Sequence, residues 1–247
     1  MRPSVKREIS ETLFPSDVKC VVCGREIVPG RYGLCDECKI EINDNYCLRC
    51  GRHKVGVSDY CGDCADLSLH FDEARSAVNY EGNAKSLVHR LKFGNAAYLA
   101  HIISEYLLDV LLLSDWEADC ITFVPLHKIG RKKRGYNQAE LIAASLAERI
   151  NLPCVDLLEK IRITPNQARL NREQRLENIK GAFSVKQKPP ERVILIDDVL
   201  TTASTADECS KTLKKSGARV VYVLTFASVP ERPVLDAPQK NIHEFRR

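Results

Sequence analysis

The stretch Arg192-Val193-Ile194-Leu195-Ile196-Asp197-Asp198-Val199-Leu200-Thr201-Thr202-Ala203-Ser204-Thr205 decides how this 247-residue chain folds. Residues 192–196 form the continuous apolar run of a strand buried on both faces, as in a parallel sheet. The run is expected to stop at Asp197-Asp198. Beyond the loop, Ala206, Cys209 and Leu213 recur at helical spacing, with Asp207 and Glu208 early, Lys211, Lys214 and Lys215 late, and Gly217 as the stop. That charge order suits the helix dipole. A second apolar strand at 219–227 completes a βαβ unit, whose crossover should be right-handed.

Chemistry follows from the junction. In open parallel sheets, ligands bind beyond the carboxyl ends of the strands. Thr201, Thr202, Ala203, Ser204 and Thr205 would there offer hydroxyls and successive backbone N–H groups at a helix N-terminus, the donors a phosphate requires. Asp197 and Asp198 can accept from vicinal ribose hydroxyls, directly or through a hydrated Mg2+. Either half has a bland reading, an N-cap for Ser204 or Thr205 and a solvated surface pair for the acids. Their conjunction behind a buried strand favours a ligand site.

Upstream, 121–126 reads as another short strand, and 137–150 places Ala139, Ile142, Ala143, Leu146 and Ile150 on one helical face. The alternation of strands and helices begins near Phe71. Before it lie eight of the eleven cysteines, as four C-x-x-C pairs: Cys20/Cys23, Cys35/Cys38, Cys47/Cys50 and Cys61/Cys64. Such pairs aim two thiolates at one ion, and Gly24 and Gly51 suit the tight backbone that follows. Two structural Zn2+ sites of four cysteines each account for all eight. Sequential and interleaved pairings both satisfy the count, with the sequential one preferred. The metal would replace the core that so short a segment lacks. We expect a ribbon region, 1–70, and an α/β body, 71–247.

Composition is that of an ordinary globular protein, 44% hydrophobic and 28% charged, with a formal charge of +4. The charge is uneven. Residues 128–134 carry five bases and no acid, and 160–180 carry six bases against Glu173 and Glu177, a distribution that suits an anionic partner. The polar N-terminus lacks a signal-peptide pattern, and the apolar segment 102–113 is too short to insert in a membrane. A cytoplasmic location is expected, where cysteine pairs read as metal ligands rather than disulfides.

The segment 197–205 resembles the D-D-x-x-T-T-G-x-T loop of type I phosphoribosyltransferases, which binds phosphoribosyl pyrophosphate (PRPP), with Ala203 at the glycine position. If that position needs a positive φ, alanine is strained there. Taken with the four cysteine pairs, Leu91-Lys92-Phe93-Gly94, Val124-Pro125-Leu126, Arg134-Gly135-Tyr136-Asn137-Gln138 and the stretch 164–183 with Gln167, Arg172, Arg175, Asn178 and Phe183, the chain resembles the ComF family from Cys20 to about Ala227. That resemblance implies a type I phosphoribosyltransferase fold, a parallel sheet flanked by helices, behind a double zinc ribbon.

It further implies that the loop after Pro125 faces the pyrophosphate through Arg134 and Lys128. Residues 164–181, with Gln167, Arg172 and Arg175, would form a flap over PRPP. The implied activity is Mg2+-dependent transfer of phosphoribosyl to a nitrogen acceptor, with Asp197, Asp198 and Arg134 as the catalytic set. Nothing at 71–95 or 228–236 reads a particular base. Two other functions stay open: a PRPP-binding factor that handles single-stranded DNA in competence without turnover, and a sensor whose ribbons dock a protein of the competence machinery. The DNA reading rests on the basic stretches 128–134 and 160–180, where stacking aromatics are sparse and Tyr136 is the main candidate.

Overall fold

The computed structural model describes residues 18–28, 30–64, 68–164 and 177–231; Gln167, Arg172 and Arg175 of the expected flap lie outside them. Four strands form one parallel sheet: β1 (Glu73–Asn79), β2 (Cys120–Phe123), β5 (Arg192–Leu200) and β6 (Val220–Ser228), in the order β1-β6-β5-β2. A separate antiparallel hairpin joins β3 (Leu158–Lys160) to β4 (Phe183–Val185). The helices are α1 (Gly82–Phe93), α2 (Leu99–Leu112), α3 (Lys128–Arg134), α4 (Gln138–Ile150) and α5 (Ser204–Lys215).

Period-two alternation explains the unbroken apolar run of β5. Ile194 and Ile196 join Leu99, Ile103, Tyr106, Ile142 and Leu146 on the α2/α4 face. Val193 and Leu195 join Cys209, Leu213, Val221 and Val223 on the α5 face. Both faces are therefore covered, as a parallel sheet requires. The strand does not stop at the acids: its ladder to β6 continues through Asp197↔Thr225 and Val199↔Ala227 to Leu200↔Ser228. Backbone pairing takes no account of side-chain charge, so the acidic pair sits within the strand's last turn of pleat rather than after it.

The ribbon region lies along the free edge of β1. The backbone N–H of Asn43 donates to Ala77 O at 2.7 Å, that of Ala74 donates to Arg49 O at 3.1 Å, and Ile42 bridges Val78. Gly51 has φ +67°, and a Cβ there would stand 2.5 Å from Ala74 O, so this knuckle needs glycine for close approach as well as for its dihedral. Nearer the first cysteine set, Arg31 pairs with Glu105 and Asp109 of α2, and Tyr32 stacks on Tyr106 with centroids 4.0 Å apart. Cys47, Cys50, Cys61 and Cys64 share one buried cluster with Phe71, Ala74 and the α5 face of the sheet. Among the described residues, no helix is long and apolar enough to cross a membrane.

Candidate functional site and metal centres

Two metal centres are defined by sulfur geometry. Cys20, Cys23, Cys35 and Cys38 bring their sulfurs within 4.8 Å of one another, and so do Cys47, Cys50, Cys61 and Cys64. Pairing is therefore sequential. Cys23 and Cys35 stand 3.7 Å apart, as do Cys50 and Cys61. Four sulfurs about 2.3 Å from a tetrahedral Zn2+ would be about 3.8 Å apart, so both sets fit the ion. Four thiolates leave no open position, which makes the sites structural rather than catalytic.

The second site gathers at the carboxyl end of β5. Asp198 is 11% exposed at its side chain and receives the ammonium of Lys92, from the last turn of α1, at 2.9 Å. Burial alone would lower the Lys92 ammonium, but the Asp198 carboxylate outweighs it and the pKa is raised. Asp197, half-buried, is pushed up to about 7, first by burial and then by the neighbouring Asp198 charge. Lys160, at the end of β3, lies close enough to oppose that rise, while its own ammonium is lowered by burial. Lys92 thus pairs directly with Asp198 of the acidic pair, while Lys160 acts on Asp197 only through space.

The loop that follows begins at Leu200, whose carbonyl accepts from Val229 N at 3.0 Å. Thr202 and Ser204 share a hydroxyl contact of 2.8 Å. Ala203 is the N-cap of α5, with φ +62° and no side-chain oxygen to cap the helix. Neither Ser204 nor Thr205 occupies the capping position; they are the first two residues of the helix. Asp207 N already donates to Ala203 O at 2.8 Å, while the N-cap offers no side-chain acceptor to the first-turn N–H groups before it. A helix start of this kind is suited to an anion, which its dipole and free donors favour.

The basic stretch after β2 differs from the expected loop. His127 accepts from Ile129 N and Gly135 ends the turn at φ +82°, so Lys128–Arg134 forms the short helix α3, with no buried residue. Lys128, Arg131, Lys132 and Lys133 are exposed. Arg134 donates to Gln138 Oε1 at 3.0 Å, and its guanidinium lies 5.3 Å from the Phe93 ring centroid. Asn137 starts α4, accepting from Ala139 N while donating to Val124 O. A cleft of about 190 Å³ separates the residues after β2 from the hairpin, lined by Lys128, Arg131, Lys160 and Lys186 and by Asp156 and Glu159.

Of the residues the sequence points to, Asp197, Asp198 and the hydroxyl run lie together at the end of β5, and Lys128 and Arg134 lie on α3. The sequence gives no role to Lys92 or Lys160, because nothing local marks a lysine that meets an acid from a distant element. The one available signal was the Leu91-Lys92-Phe93-Gly94 element itself.

A parallel sheet with an acidic pair and a hydroxyl loop at the carboxyl end of β5 is thus joined to two four-cysteine centres, an α/β body behind a ribbon region. The double zinc ribbon domain model matches residues 9–65. Over most of its length the chain is similar to proteins named for competence and DNA utilization. It is 29% identical to competence protein F of Haemophilus influenzae over 218 residues, covering 83% of this chain and 94% of that one. Identity is 27% to the DNA utilization protein YhgH of Escherichia coli K12, with the same coverage. It is also 27% to competence protein ComFC of Streptococcus pneumoniae, covering 76% of this chain and 84% of that one. Among solved structures, a hypoxanthine phosphoribosyltransferase of Staphylococcus aureus aligns at 16% identity and TM-score 0.35, over 57% of this chain and 69% of that one.

Proposed function

We propose that the chain binds PRPP with Mg2+ at the carboxyl end of β5 and transfers its phosphoribosyl group to a nitrogen acceptor, releasing pyrophosphate. The observation that carries this reading is the succession of Asp197 and Asp198, the hydroxyl loop and the uncapped start of α5. Thr201 to Thr205 and the first N–H groups of α5 would hold the 5′-phosphate, and the carboxylates would accept from the ribose hydroxyls. Oxygen donors of this kind suit a hydrated Mg2+ carried by the pyrophosphate. Arg134 and Lys128 would stabilise the leaving group as the C1–O bond breaks and its electron pair passes to pyrophosphate. The acceptor nitrogen forms the new bond to C1 and gives up its proton.

The names of the relatives favour a second reading, in which PRPP binding serves DNA uptake or utilization without turnover. Its structural support is the exposed basic helix α3 beside the cleft, a surface fit for a phosphate backbone. A protein partner and a cytoplasmic setting belong with that reading.

Titrating PRPP and Mg2+ into the wild type and into Asp197→Asn/Asp198→Asn tests the shared core. Binding by the wild type and its loss in the variant are expected; no binding by the wild type sinks both readings. Pyrophosphate release over a panel of nucleobases then supports transfer. Binding without release, together with salt-sensitive retention of single-stranded DNA that Arg131→Ala/Lys132→Ala/Lys133→Ala abolishes, supports the second reading.

A further inference from the structure

The last turn of α1 touches both halves of the candidate site. Tyr136 Oη donates to the Leu91 carbonyl at 2.7 Å, Phe93 carries the Arg134 guanidinium at 5.3 Å, and between them Lys92 holds Asp198 at 2.9 Å. Lys92 is thus at the junction of the acidic pair with the basic segment expected to face the pyrophosphate. Its side chain is 22% exposed and that of Asp198 is 11% exposed, so the pair is largely withdrawn from water.

PRPP is a polyanion, and two adjacent carboxylates at its ribose would repel it. We propose that Lys92 is a positioning residue for PRPP: it fixes the Asp198 carboxylate for the ribose and supplies, from the protein, positive charge that would otherwise have to come from Mg2+. This rests on the PRPP reading above and deepens it. An ammonium at 2.9 Å offsets the Asp198 charge and so lowers the negative charge that the acidic pair presents to PRPP. A lysine confined in this way also keeps Asp198 from swinging toward solvent. Removing the ammonium leaves a withdrawn carboxylate without its partner, the situation in which buried charge is most costly.

The test measures PRPP affinity across a range of Mg2+ concentrations for the wild type, Lys92→Gln and Lys92→Arg. Lys92→Gln keeps a hydrogen-bond donor for Asp198 but loses the charge; Lys92→Arg keeps the charge. At low Mg2+, Lys92→Gln is expected to bind PRPP about tenfold or more weakly than the wild type. The gap should narrow as Mg2+ rises and the ion supplies the missing charge. Lys92→Arg should stay within about threefold of the wild type and keep its Mg2+ dependence. A merely structural lysine would give a deficit independent of Mg2+, and that result, or wild-type affinity in Lys92→Gln, overturns the proposal. Should Lys92→Gln fail to fold, Lys92→Arg decides alone, because a Mg2+ dependence steeper than the wild type's would overturn it. Wild type that binds no PRPP at any Mg2+ concentration fails the underlying reading instead.

Discussion

Asp197 shows how a candidate ligand-binding residue is held at the expense of stability. Burial and the adjacent Asp198 charge raise its carboxyl to about 7, from an ordinary value of 3.8. Between those two values the folded chain holds a proton that the unfolded chain has released, so this group's contribution to stability falls as pH rises through that window. Asp197→Asn removes the titration. Urea unfolding should find the variant more stable than the parent at pH 8, by about 2 kcal/mol after allowing for partial exposure, with the difference fading toward about pH 4. A variant less stable than the parent at pH 8 would contradict this account. Ala203 is a milder case. A left-handed φ costs an L-residue about 1–2 kcal/mol, but its methyl lies in the α5-side cluster, worth about 0.8 kcal/mol. Glycine would lose that methyl and add chain entropy, so the terms nearly offset. An alanine can therefore stand at this left-handed position.

Among the elements, the two zinc knuckle pairs look alike in sequence yet differ in burial. All four sulfur ligands of the second site belong to residues 0–2% exposed, whereas Cys23 of the first is exposed and Cys35 is half-buried. A colorimetric chelator should therefore take zinc in two phases, the first set's ion readily and the second's only as the body unfolds; simultaneous release would refute the distinction. Much of this was legible beforehand. The C-x-x-C pairs announced the two cysteine clusters, and the pattern of 192–215 announced a strand, a loop and a helix. Spacing could not choose between sequential and interleaved pairing, because either brings four thiolates together. The end of β5 was misplaced because carboxylates resemble strand terminators, while the ladder to β6 is made by backbone groups. The basic segment was read as a loop because its helix is short, exposed and free of any apolar stripe. Lys92 and Lys160 were invisible as site residues because periodicity reports which face is buried and not what that face meets.

At the scale of the whole molecule, the ribbon and the body are joined by more than a linker. The second site shares its cluster with the sheet, and the chain leaving β6 returns to it: the Glu231 carboxylate accepts from Gly62 N at 2.7 Å and Val55 N at 3.1 Å, while Glu231 N donates to His53 O at 3.0 Å. The boundary expected near residue 70 marks a change of composition, and we expect no independent unit on its far side. Residues 71–247 expressed alone should aggregate or unfold at markedly lower denaturant than the full chain, since the β1 edge and an apolar face lose their cover. A body fragment as stable as the full chain would show the two to be separable. The sheet order adds a temporal aspect. β1 emerges early in synthesis, yet its neighbour within the sheet, β6, is the last of the described strands to be made. The ribbon, complete by Cys64, precedes both and lies along the other side of β1. Metal supply thus bears on the nascent chain: a ribosome-bound intermediate loaded with zinc would have one flank of β1 guarded while it waits for β6, and a zinc-starved one would have neither.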